Sequence, residues 1–164
     1  MTGINWIRTG AVLGFLAVTI GAFGAHGLKE RLDALGTAAT FKTGVEYHMF
    51  HTIAILCVGL LAIARPPASA MPVNMAGWSF LVGVMLFSGS LYLLGVTGIK
   101  ILGAITPLGG VAFLIGWVAF AVAAWNSPVD DSAAHRTSHL TTLPHVSNGA
   151  SHSESGIKRE ESSH

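Results

Sequence analysis

Four stretches of this 164-residue chain carry no Asp, Glu, Lys or Arg: 9–28, 47–64, 66–99 and 101–129. A helix needs roughly 20 predominantly apolar residues to cross a hydrocarbon core. Lipid offers the backbone no hydrogen bonds, and a helix is one of the few structures that satisfies its own. The pattern therefore predicts four spans, at about 6–25, 47–64, 77–96 and 107–126. The fold class is all-α, an integral membrane four-helix bundle. Only nine charged side chains lie in 1–126, against eight in 127–164. Such scarcity excludes an ordinary soluble enzyme. A net charge of +1 with no basic stripe excludes a nucleic-acid binder. The partner this composition demands is the lipid bilayer.

Two domains follow: a membrane domain, 1–126, and a polar tail, 127–164. The tail is rich in Ser, Thr and His and lacks aromatic residues, so it is expected to be disordered. Its histidines, His135, His139, His145, His152 and His164, are too scattered for a designed site. The one cysteine, Cys57, lies in mid-span and leaves the redox compartment open. Residues 10–25 are long for a signal h-region, although Ala22-Phe23-Gly24 has the small residues of a cleavage site.

Between the first two spans, Leu28, Leu32 and Leu35 share a helical face opposite Lys29, Glu30, Arg31 and Asp33. This is the pattern of a short interfacial helix, stopped at Gly36. From Thr37 a second helix can run unbroken to Ala64, longer than the core is thick. Arg65-Pro66-Pro67 ends it. Before the fourth span, Thr106 as N-cap and Pro107 as first residue give a helix over 107–126. Residues 98–105 are then a short irregular segment. The alternative is a helix from Lys100 that kinks at Pro107.

Four spans put both termini on one side, and the cell inner (plasma) membrane is the expected location. Trp6, Trp78 and Trp125 fall at the terminal-side ends of their helices, as an interfacial belt would. Lys29, Arg31, Lys42 and Lys100 mark the loop side against Arg8, Arg65 and Arg136, which sets no orientation.

Small residues form two seams. One is Gly10, Gly14, Ala17, Gly21 and Ala25; the other is Gly109, Ala112, Gly116, Ala119 and Ala123. Such seams let helices approach closely, within one chain in preference to between copies. Polar groups gather at the loop end of the bundle: His26, Glu46, His48, His51, Ser88, Ser90, Tyr92 and Thr106. Polar side chains at membrane depth point to function by default. His48 and His51 share a stripe with Phe41, Gly44 and Ile55, and His26 would be the third imidazole of a metal site. Glu46 points the other way, toward Lys42. No HExxH is present, and one His pair three apart does not define a zinc site. Hydrogen bonds between helices are the preferred reading, ahead of ligand or proton chemistry and ahead of a metal; no cofactor is expected. Neither a Walker-type glycine loop nor a GxSxG elbow occurs.

The strings GAFGAHGLKERL at 21–32, FKTGVEYHMFHTIAIL at 41–56, LFSGSLYLLG at 86–95 and ITPLGGVAFLIGW at 105–117 resemble the family called domain of unknown function 423. That family includes transmembrane-protein-256-like proteins, and the likeness covers about residues 5–125. It implies a small four-helix membrane protein that keeps its first helix. The motif positions it carries over are Gly24, His26 and Gly27; Gly44, Tyr47 and His51; Ser88, Gly89, Ser90 and Tyr92; and Pro107, Gly109, Gly110 and Trp117. It brings no activity with it. A structural or accessory protein is the first expectation, with another membrane protein or a second copy as partner. A small transporter or channel subunit is the alternative, and an intramembrane metal-binding protein the next.

Overall fold

The computed structural model describes residues 5–64 and 70–125. The tail expected to be disordered and the Arg65-Pro66-Pro67 stop lie outside the described residues. Among the described residues all elements are helical: α1 (Trp6–Ala25), α2 (Lys29–Ala34), α3 (Ala38–Ile63), α4 (Ala70–Gly83), α5 (Gly89–Thr97) and α6 (Thr106–Trp125). A π turn, Val84–Ser88, joins α4 to α5, and a 3₁₀ turn, Lys100–Ala104, precedes α6. Among the described residues, four helices are long and apolar enough to cross a membrane: Trp6–Ala25, Ala38–Ile63, Ala70–Thr97 and Lys100–Trp125.

Local chemistry sets the ends. Asn5 caps α1, its side-chain oxygen accepting from the Arg8 N–H at 3.2 Å. Gly36 and Gly98 take φ of +66° and +74°, the left-handed conformation that stops α2 and α5. Lys29 binds Asp33 at 2.7 Å on the exposed face of α2, and that hydrogen bond and charge raise the Lys29 pKa. Arg31 Nε donates to the Val96 carbonyl at 2.6 Å, tying α2 to the end of α5. Of the three leucines, Leu32 is buried, Leu28 is half-buried, and Leu35 is exposed beside Gly98.

The helix that carries the third span is already formed at Ala70, with Pro72 near its described start and nothing else in 70–77 to obstruct it. One expectation changes here. Residues 100–104, read as irregular, close into a 3₁₀ turn that satisfies its own backbone, Leu102 N–H to Ile99 O and Ile105 N–H to Leu102 O. Pro107 then lies in the first turn of α6, where its missing N–H removes no helical bond.

The glycine seam of α1 lies on α3: Gly10 meets Leu56, Gly14 meets Thr52, Gly21 meets Val45 and Gly24 meets Phe41. The α6 seam lies on the third span, Gly109 against Phe87 and Gly116 against Phe80. Both seams therefore serve packing inside the chain. The core between them holds Ile55, Val58, Ala76 and Phe80. Outside, Phe15, Leu60, Met85, Leu114 and Val118 are exposed, an apolar exterior that suits acyl chains and not water.

Trp6 does not join an interfacial belt. It is buried over Gly77, donates its Nε1–H to Asn74 Oδ1 at 3.0 Å, and meets Trp78 edge-on at 5.8 Å. Trp78 and Trp125 remain exposed.

Candidate functional site

Helical spacing decides which α3 side chains turn inward. Phe41, Gly44, His48, His51 and Ile55 are all buried, as their shared stripe requires. Glu46 lies on the other side, 61% exposed, with Lys42 Nζ 3.6 Å from its carboxylate. His26 is the exposed C-cap of α1 and does not approach the other two histidines. Among the described residues, no three His, Cys, Asp or Glu side chains stand close enough to share a metal ion.

The Tyr92 hydroxyl reaches from α5 to two α3 groups. It donates to the Gly44 carbonyl at 3.2 Å and lies 3.1 Å from His48 Nδ1. With its proton given to Gly44, it accepts from an Nδ1–H, so His48 Nε2 carries the lone pair. Gly44 admits the tyrosine because any Cβ there would press on the Tyr92 ring and on Leu91.

His51 has both ring nitrogens engaged. Nδ1 lies 2.9 Å from the Tyr47 carbonyl and must donate to it. Nε2 accepts the indole N–H of Trp117 at 3.3 Å. The ring is also stacked on Phe113, with centroids 3.4 Å apart and planes 7° from parallel. This His51 is a neutral, Nδ1-protonated imidazole with no nitrogen left for a metal. Nearby, Ser90 donates to the Phe87 carbonyl at 2.9 Å and sits 2.9 Å from Thr106 Oγ1, linking α5 to the head of α6. Ser88 is fully buried, and its hydroxyl has no hydrogen-bond partner among the described residues.

The eight polar residues thus sort into three linked sets and three separate ones. Gly44–Tyr92–His48, His51–Trp117 and Ser90–Thr106 join helices; His26 and Glu46 face outward, and Ser88 is buried without a partner among the described residues. Phe113, Thr52 and Asn74, the partner of Trp6, are not among the sequence candidates, and Trp117 stands there only as a motif position that the family resemblance carries over. A Trp or Asn inside a charge-free run was the available signal. Of the glycines, Gly24 and Gly109 have no room for a Cβ, Gly44 has little, and Gly27 lies against the Phe23 ring. Around Gly89 nothing lies within 4 Å, and around Gly110 only Phe87 at 4.0 Å. Steric space explains neither.

A groove of about 590 Å³ runs between α3 and α6, walled by Tyr47, Phe50, His51, Phe87, Phe113 and Trp117, with Glu46 at its rim. Tyr47 stacks on Phe87 there at 4.3 Å. A smaller hollow of about 310 Å³, floored by Gly21, Gly24 and Phe41, lies at the α2 end under Lys29 and Lys42.

Four apolar spans, seamed by glycines and bonded by buried polar pairs, define a small multi-pass membrane bundle. The chain belongs to the family described as Protein of unknown function (DUF423), whose family model matches residues 20–110. It is similar to the UPF0382 membrane protein YwdK of Bacillus subtilis, 49% identical over 119 residues, which covers 73% of this chain and 94% of that protein. A UPF0382 membrane protein of Haemophilus influenzae is 44% identical over 117 residues, 71% of this chain and 90% of its own. One from Staphylococcus epidermidis is 42% identical over 118 residues, 72% and 93%. No solved structure matches.

Proposed function

We propose that this protein is an accessory component of the cell inner membrane, acting through contacts with another membrane protein or a second copy. The supporting observation is the use of its polar side chains. His51, the residue a transport path would rely on most, has both nitrogens committed to Tyr47 and Trp117. Tyr92 and Ser90 are likewise committed to neighbouring helices. Bonds of this kind hold a bundle together and need no substrate. In this reading residues 1–126 are the working domain, both termini share one side, and 127–164 is an appendage.

Capture of the full chain from mild detergent should return one stoichiometric membrane partner or a defined homo-oligomer. A protein that is consistently solitary and monomeric overturns the reading. So does solute flux in proteoliposomes that is abolished by His51→Ala and by Tyr92→Phe while both variants remain folded.

A further inference from the structure

Among the described residues, three buried polar atoms have no hydrogen-bond partner: His48 Nε2, Thr52 Oγ1 and Ser88 Oγ. Their residues are 3%, 4% and 0% exposed. Orphaned groups in an apolar interior are rare, since each forfeits the bonds it made in water. Three together are not an accident of one side chain.

Helix geometry brings them to one place. His48 and Thr52 are four apart on α3, so one sits above the other on the same face. Ser88 is four residues before Tyr92, whose hydroxyl touches His48 Nδ1. It is also three before Leu91, which packs on Gly44, one turn from His48. Ser88 therefore turns toward α3 at the level of His48. The two nitrogens of an imidazole point nearly opposite ways, so Nε2 looks away from Tyr92. The surroundings there are small: Gly14 stands over Thr52, and the register of α1 on α3 brings Ala17, with no exposure, beside His48. The π turn ends at Ser88, and such turns widen a helix locally and recur at functional sites.

We propose that His48 Nε2, Thr52 and Ser88 form a buried polar site in mid-bundle that holds a neutral hydrogen-bonding guest of water size. The guest donates to the Nε2 lone pair and exchanges hydrogen bonds with the two hydroxyls, giving it the two to four partners an internal water requires. It is neutral because no buried carboxylate accompanies these groups among the described residues, and an unpaired buried ion is prohibitive. With Tyr92 and the Gly44 carbonyl, the site completes a hydrogen-bonded line from α5 through α3 into the bundle centre.

The test uses water itself as the probe, on the full chain reconstituted in lipid bilayers. Water-edited solid-state NMR should give magnetisation transfer from water to His48 and Thr52, while Ile55, fully buried one turn away, receives none. The double variant Thr52→Val, Ser88→Ala should lose the transfer at His48 and melt at a lower temperature than the parent. A dry His48 in the unaltered protein overturns the proposal. So does a double variant at least as stable as the parent, the result expected if two idle hydroxyls had merely been replaced by apolar groups of similar size.

Discussion

The indole N–H of Trp117 on α6 reaches Nε2 of His51 on α3 at 3.3 Å. Around it the two helices meet through their rings, Phe50 against Trp117 at 5.8 Å and Tyr47 against Phe113 at 6.1 Å. The same imidazole lies flat on Phe113, so one side chain carries both a polar and a stacking link to α6.

Removing that ring should be felt across the bundle. His51→Ala deletes the stack and both hydrogen bonds and should lower unfolding free energy by about 2–4 kcal/mol, the range for emptying a buried site. His51→Phe preserves the stack but strands the Trp117 N–H, and should lose about 1 kcal/mol. Reversible denaturation in mixed micelles, with the order Ala worse than Phe worse than parent, is the check.

Tyr92→Phe keeps the ring beside Gly44 and removes only the hydroxyl between the Gly44 carbonyl and His48. The expected loss is about 1 kcal/mol, in the range measured for polar contacts between membrane helices. The Nδ1–H of His48 also loses its acceptor, so its ¹⁵N resonance should move in the variant while that of His51 stays.

Gly109 and Gly89 make a controlled pair. A Cβ at 109 runs into the backbone nitrogen and Cα of Phe87, which cannot swing aside. Gly109→Ala should therefore destabilise by about 1–3 kcal/mol, the range for overpacking. At Gly89 a methyl meets open space, and Gly89→Ala should be neutral or gain up to about 1 kcal/mol from helix propensity. Thermal melts of the two variants should move in different directions; a large loss from Gly89→Ala would mean its environment includes a contact from another molecule.

Asn74→Leu tests the other end of the bundle. It leaves the buried Trp6 N–H without its acceptor and should lower stability by about 1–2 kcal/mol. Trp6→Phe in the same background removes the stranded group and should recover part of that loss, readable as non-additivity in a double-mutant cycle.

Much of the fold is legible in the sequence because it depends on charge-free runs and small-residue spacing, both local patterns. Gly10, Gly14 and Gly21 announce a close neighbour. They do not say that the neighbour is α3. The inward turn of His48 and His51 and the outward turn of Glu46 follow from 100° per residue along one helix. Which partner each finds depends on register between helices far apart in the chain, so Trp117 as the mate of His51 is not written in either segment. Depth along the bundle axis groups His26 with the other histidines. Depth says nothing about azimuth, and at the end of α1 it faces outward. The 3₁₀ turn before α6 and the π turn before α5 are backbone adjustments to packing, with no composition of their own.

The π turn has a consequence for how this span can vary. Before it, Phe80 and Gly83 look at Gly116 and Phe113 of α6; after it, Leu91 and Tyr92 look at Gly44 of α3. A turn closed five residues apart instead of four holds one residue more than the α-helical count. It absorbs that residue, so the halves on either side keep the faces a regular helix one residue shorter would give them. Carried in a regular helix instead, the same residue would rotate one half about 100° against the other, and one interface would present the wrong face. Deleting one residue from Val84–Ser88 should therefore straighten the turn and leave both interfaces in phase, whereas a deletion in α4 or α5 should not.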